Sequence, residues 1–329
     1  MGVTERDQVA EGVLHVLIAH QPRRRRPLLR RFVGVAALLT AACSLVACTV
    51  PPSGASTPDS SGPTEPTSVY VSIGDSYAAG FQPAPFGSAD GFAQQIAQRS
   101  LSGAEPLTLY NFGCPGATTS AVIEDLGCAT AGSTDEAQDY STTTQLDAVV
   151  QTLRANAGRI GLVTISLGGN DIRECLESAD PVACSTTAAP TMRQHLRQVL
   201  AQVRQAAGQD VPIVGLTYPD VYVSDIESGD PVARARAEAS IRVFHDILNP
   251  LLAEEYARIG AGFVDITTDS GAYLPATDTV IGADGTITPR AADTVCRYTH
   301  YCASGDVHPN TAGYTFIADQ VLKLVNSGG

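Results

Sequence analysis

Residues 160–171 read IGLVTISLGGND, a nearly unbroken apolar run over 160–167 that ends at Gly168 and Gly169 and passes into Asn170 and Asp171. A strand with one face in water alternates apolar and polar side chains, whereas one without alternation is covered on both faces. Shorter runs of the same kind occur at 69–73, 107–112, 211–217 and 263–266. Between the runs, composition and spacing predict helices over 91–100, 117–126, 143–157, 188–207, 232–259 and 311–326. In 232–259, Ile241, Phe244, Leu248, Leu251, Leu252, Tyr256 and Ile259 fall on one helical face. Pro231 stands where a helix starts, and Pro250 predicts a kink or a division. Alternating strands and helices give an α/β domain with a parallel sheet, whose functional groups gather at the carboxyl ends of the strands. No internal repeat is present.

Four short blocks sit where such a sheet would expose chemistry. Gly74-Asp75-Ser76-Tyr77 follows the first run, and Gly74 permits a tight turn that would present Ser76 as a nucleophile. Gly113-Cys114-Pro115-Gly116-Ala117-Thr118-Thr119 follows the second, and Gly116 at a helix start would offer backbone N–H groups to a developing anion. Gly168-Gly169-Asn170-Asp171 follows the third; Asn170 carries an amide donor suited to an oxyanion, while Asn170 and Asp171 would also serve as caps. Asp306-Val307-His308-Pro309-Asn310 precedes the last helix, and an imidazole titrating near neutrality can take a proton from Ser76 and return it. Each block alone also reads as an ordinary turn. Among the other histidines, His15 and His20 precede the expected mature chain, His195 and His245 lie in helical patterns, and His300 is the rival base.

Taken in order, the blocks resemble those of the SGNH hydrolase family, over residues 68–326. The resemblance assigns Ser76, Gly116, Asn170 and His308 to the four named positions. It implies a flavodoxin-like α/β/α sandwich with five parallel strands, and a serine ester hydrolase. Attack by Ser76 would form an acyl-enzyme, with the Ser76 N–H, the Gly116 N–H and the Asn170 amide as oxyanion hole. One feature departs from the pattern. The family's last block usually reads D-x-x-H, but Asp306 is two residues before His308 and Gly305 holds the usual place. Either the Asp306 carboxylate orients the imidazole, or a main-chain carbonyl such as that of Gly305 does so, as in some exported members.

Cysteine usage points to an oxidising compartment. Cys114, Cys128, Cys175, Cys184, Cys296 and Cys302 fall into three local pairs along the chain, so 114–128, 175–184 and 296–302 is the simplest pairing. Some exported members of the resembled family carry three sequential disulfides of this kind. No C-x-x-C suggests a zinc site, and no phosphate-cradling glycine loop or H-E-x-x-H is present, so no metal or organic cofactor is expected.

The first 47 residues read as an address. Arg23–Arg26, Arg30 and Arg31 precede an uncharged, mostly apolar stretch, 32–47, shorter than a membrane span needs. It ends in Leu45-Val46-Ala47-Cys48, which resembles a bacterial lipobox with Cys48 as the lipidated residue. Cys43 competes poorly because Thr40 fits badly three residues earlier, and the surroundings of Arg30-Arg31 fit a twin-arginine signal poorly. Residues 1–22 are unusual for a leader, which leaves a downstream start open. Residues 48–68 are the lipidated cysteine and a Pro/Ser/Thr/Gly-rich linker, and 69–326 the hydrolase domain. The expected product is an exported monomer tethered by lipid to the outer face of a cell membrane, or secreted.

Residues 49–329 carry 14 basic and 31 acidic side chains, so the domain is strongly anionic and nucleic acid is an unsuitable partner. An ester of lipid or of acylated carbohydrate is the expected substrate. Two other readings keep the same residues: an acyl- or acetyltransferase on envelope carbohydrate, and a non-catalytic envelope-binding lipoprotein. Residues 268–295, rich in Thr, Asp, Gly and Ala, are expected to line the acyl pocket.

Overall fold

In the computed structural model, residues 68–84, 90–103, 105–128, 138–282 and 285–327 are described. The expected leader 1–47, Cys43, Cys48 and the linker up to residue 67 lie outside them.

The five apolar runs form one parallel sheet. The chain runs through β1 (Ser68–Gly74), α1 (Ser76–Ala79), α2 (Phe92–Ser100), β2 (Leu107–Asn111), α3 (Ala121–Glu124), α4 (Gln145–Ala155) and β3 (Ile160–Ser166). It continues through α5 (Gly169–Leu176), α6 (Pro181–Ala207), β4 (Ile213–Leu216), a 3-10 turn (Val221–Asp225) and α7 (Pro231–Val243). A π turn (Phe244–Leu248), α8 (Asn249–Arg258), β5 (Gly262–Val264) and α9 (Ile266–Asp269) follow. The described chain ends with a small hairpin of β6 (Thr279–Ile281) and β7 (Ile287–Pro289), then α10 (Arg290–Tyr298), α11 (Tyr301–Ser304) and α12 (Thr311–Ser327).

The strand order is β2-β1-β3-β4-β5, all parallel. The chain leaves β1 toward β2 on one side and returns to β3 on the other, so a crevice opens above the carboxyl ends of β1 and β3. Both faces are covered. Gly215 meets the ring of Tyr256 from α8, while Gly262, beside Val214 in the register and so on the other face, meets Leu324 from α12. Helices α4, α6 and α8 pack together on the first face, and α2, α10 and α12 on the second. Val69, Val71, Ile73, Val163 and Ile165 are buried, each contributing roughly 1.5–3 kcal/mol of transfer free energy. The expected three-layer α/β/α fold is the one observed.

Three helical readings need revision. The helix expected over 117–126 is regular only over Ala121–Glu124, because Thr119 is tied to Asp171 through its N–H (3.0 Å) and its hydroxyl (2.5 Å). The helix expected from 188 begins at Pro181, with Asp180 capping the Ala183 N–H and Pro190 accommodated inside. Over 231–258 the division demanded by Pro250 takes the form of a π turn: proline lacks an N–H and crowds the carbonyl four residues back, and the wider turn absorbs both.

Candidate active site

Gly74 ends β1 at φ +146, and a Cβ there would lie 2.1 Å from the Ser166 carbonyl oxygen on β3, so only glycine fits. The chain then turns sharply. Asp75 caps α1 by accepting the Tyr77 N–H (2.9 Å), which makes Ser76 the first residue of the helix, its N–H outside the intrahelical ladder. From the far end of the chain, β-bridge Thr299–Pro309 and α12 bring His308 over this turn. Its Nε2 lies 2.8 Å from Ser76 Oγ. Its Nδ1 lies 2.7 Å from Asp306 Oδ1, which also accepts the His308 N–H at 2.9 Å. That last bond closes a tight turn of the Asp side chain onto the backbone two residues on. The turn is why a D-x-H spacing delivers the carboxylate to the imidazole. In this arrangement Nδ1 faces Asp306.

Burial is the largest influence on His308 and lowers its pKa from the usual 6.5; Asp306 pulls it back up, while Arg173 and His300 add to the lowering. The net lowering favours the uncharged ring. The tautomer that satisfies both contacts donates Nδ1–H to Asp306 and accepts the Ser76 hydroxyl proton at Nε2. Phe81 sets its ring edge-on to the imidazole at 4.6 Å, and Tyr77 donates its hydroxyl to the Val307 carbonyl at 2.8 Å, pinning the histidine loop to the serine turn.

Gly116 is not at a helix start, as the sequence suggested. Cys114–Ala117 is a β-turn closed by the Ala117 N–H to the Cys114 carbonyl (3.0 Å), with Pro115 second and Gly116 third at φ +84. This is the place where a turn demands positive φ. The Gly116 N–H has no partner among the described residues, and Gly116 lines one cavity with Ser76 and Asn170. Asn170 lies in the first turn of α5, and its Nδ2 donates to the Ala117 carbonyl at 3.0 Å, which fixes the amide and leaves its second hydrogen over the cavity. The capping alternative for Asn170 and Asp171 does not hold: Gly168 is the N-cap residue of α5, and Asp171 instead holds Thr119.

The cavity has a volume of about 300 Å³ and is walled mainly by Tyr77, Phe81, Leu176, Val221, Tyr222 and Phe244. Among the described residues of 268–295 none lines it, contrary to expectation; they contribute instead to the end of α9, the β6 and β7 strands and α10. The rival histidine, His300, has its Nε2 3.2 Å from Gln82 Oε1. His245 lies exposed beside Asp246.

Tyr218 escaped the sequence reading, and so did the part played by Asp75. Tyr218, just past β4, donates its hydroxyl to Asp75 Oδ2 at 2.7 Å and packs edge-on against Tyr77. Asp75 is buried, and burial raises its pKa from 3.8 to about 7 despite the donors around it. A Tyr-Pro-Asp directly after an apolar run was the available signal.

The disulfides are Cys114–Cys128, Cys175–Cys184 and Cys296–Cys302, as the order of the cysteines suggested. Among the described residues no acidic, histidine or cysteine cluster is arranged to hold a metal, and no helix is long and apolar enough to cross a membrane.

The model of the GDSL-like lipase/acylhydrolase family matches residues 72–316. Solved structures similar to the chain include phospholipase A1 from Streptomyces albidoflavus NA297, at 20% identity over 80% of this chain and 100% of that one, TM-score 0.45. An extracellular lipase from Streptomyces rimosus is 19% identical over 70% of this chain and 98% of its own, TM-score 0.41. An acetylxylan esterase from Geobacillus stearothermophilus is 15% identical over 78% and 94%, TM-score 0.44. No curated protein sequence matches.

Proposed function

Because the chain belongs to the GDSL-like lipase/acylhydrolase family and is a carboxylic ester hydrolase, we propose that Ser76 is its nucleophile, His308 its general base and Asp306 the group that orients His308. The observation that carries this reading is the 2.8 Å approach of His308 Nε2 to Ser76 Oγ, between side chains 232 residues apart.

Ser76 Oγ attacks the ester carbonyl as its proton passes to Nε2. The carbonyl oxygen, now anionic, is received by the Ser76 N–H, the Gly116 N–H and the free Nδ2 hydrogen of Asn170. These donors are held before reaction by a helix start, a β-turn and the Ala117 carbonyl, so little reorganisation is needed. His308 returns the proton to the leaving alcohol. Water then attacks the acyl-enzyme, with His308 again as base, and frees Ser76. The apolar cavity receives the ester substrate.

A fluorophosphonate probe tests the assignment. It should label the natural chain at Ser76, and Ser76→Ala should lose both label and hydrolysis of p-nitrophenyl esters. An unlabelled Ser76 in a folded chain would return the assignment to a binding protein. Adding sugar acceptors during turnover and analysing products separates hydrolysis from acyl transfer.

The segment ahead of the domain is proposed from sequence alone. Residues 1–47 act as a leader, Cys48 receives lipid, and 48–68 tether the domain to the outer face of a membrane. Incorporation of an alkyne fatty acid into the natural chain but not into Cys48→Ser is the expected result.

A further inference from the structure

The cavity beside Ser76 is mainly apolar, and Arg173 is the one Arg or Lys among its lining residues. Arg173 stands one helical turn beyond Asn170 on α5, and its side chain lines the cavity while remaining exposed. Glu177 follows four residues later, yet the two do not pair, and Arg173 enters no ion pair among the described residues. Its charge reaches His308 in the cavity wall, while at Tyr222 Glu177 and Arg236 weigh more. An unpaired guanidinium near the base opposes the imidazolium that forms during catalysis. A substrate anion bound to it would offset that opposition.

We propose that Arg173 is a specificity-determining residue, and that its guanidinium receives an anionic oxyacid group, carboxylate or phosphate, on the alcohol part of the ester. The inference rests on the ester-hydrolase site proposed above. The alcohol part is assigned because Arg173 lines the same cavity as His308, which hands its proton to the leaving oxygen. Guanidinium presents a planar fork of donors that matches either oxyacid. The domain as a whole is anionic, but its distant charges are screened beyond about 8 Å at physiological salt.

Three hexanoyl esters of nearly equal size test this: 1-hexanoylglycerol, 1-hexanoylglycerol 3-phosphate and 3-hexanoylglyceric acid. In the natural chain at least one anionic ester should exceed the neutral one in kcat/KM by about tenfold or more. Arg173→Gln should reduce that ratio by about the same factor, and Arg173→Lys should keep part of it. Arg154→Gln, which removes an equal charge from an exposed position on α4, should leave the ratio as it was. Preference for only one anionic ester would identify the oxyacid as phosphate or carboxylate. A ratio unchanged by Arg173→Gln, with the pH profiles of all three esters shifted together, would overturn the proposal and leave Arg173 acting on His308 alone. Hydrolysis of the neutral ester that survives Ser76→Ala would instead defeat the site reading beneath it.

Discussion

The Tyr218 hydroxyl donates across 2.7 Å to the Asp75 carboxylate, immediately before the serine that faces His308. A Cβ on Gly169 would lie 2.8 Å from the Tyr218 ring, so the ring also packs closely on the asparagine turn. Tyr218 therefore joins two loops, the serine turn after β1 and the asparagine turn after β3, without itself reaching Ser76. Tyr218→Phe keeps the ring and removes the joint. Its kcat should fall about 10- to 100-fold through misplacement of the two loops, with KM changed far less. Steady-state kinetics on a p-nitrophenyl ester read the split; an unaltered kcat would show that the joint positions nothing.

Asp75 sets a stability cost that depends on pH. Its carboxyl titrates near 3.8 when unfolded and at about 7 when folded, because burial disfavours the charge. Between those values the folded state holds the proton more tightly, so stability declines as pH rises through the interval and levels off above it. Asp75→Asn cannot ionise. Its melting temperature should gain on that of the natural chain between about pH 4 and pH 8, most of the gain arriving before pH 8. Parallel melting curves across that range would place the charge elsewhere.

Asp306 has two functions on one oxygen, closing its own turn and holding the imidazole. Asp306→Ala should lower kcat by about 10²-fold or more, by analogy with loss of tautomer control in a Ser-His-Asp triad. The pH profile gives an independent reading. His308 titrates below 6.5 because it is buried, so activity in the natural chain should persist into mildly acidic solution. Asp306 opposes that lowering, so its loss should carry the acid limb of kcat/KM to still lower pH. Near-normal turnover with an unmoved limb would assign the orientation of His308 to a main-chain carbonyl.

The sheet was legible because continuous apolarity is a local property: 69–73, 107–112 and 160–167 each became a strand within a residue or two of its reading. Ser76, Asn170 and His308 were legible because each sits at a strand end or before a helix, in a short block of fixed order. Gly116 was only half legible. Pro115-Gly116-Ala117 reads as a helix start, and the tether from Thr119 to Asp171, 52 residues away, overrides it. The cavity wall was not legible at all. Val221 and Tyr222 lie on a 3-10 turn too short to show a period, and Phe244 faces the cavity from a π turn that helical periodicity cannot anticipate. Residues 268–295 were assigned to the pocket on length alone, and length says nothing of direction.

The Cys114–Cys128 bridge begins two residues before Gly116, in the turn that presents its N–H. Closing that loop of 14 residues restricts the unfolded chain by about 3 kcal/mol in the chain-entropy account. The same bond also steadies a donor whose placement matters to well under 1 Å. The two effects separate in a double Cys114→Ala, Cys128→Ala chain assayed well below its melting temperature, where nearly all molecules are folded. A purely thermodynamic brace would leave kcat intact there. The geometry calls for a fall of about tenfold in kcat, with the far-ultraviolet circular dichroism of the natural chain retained. The matching change at Cys296 and Cys302 serves as comparison, since that bridge supports the approach to His308 and not the oxyanion turn. Equal losses from the two double variants would argue for general loosening and against a local hold on Gly116.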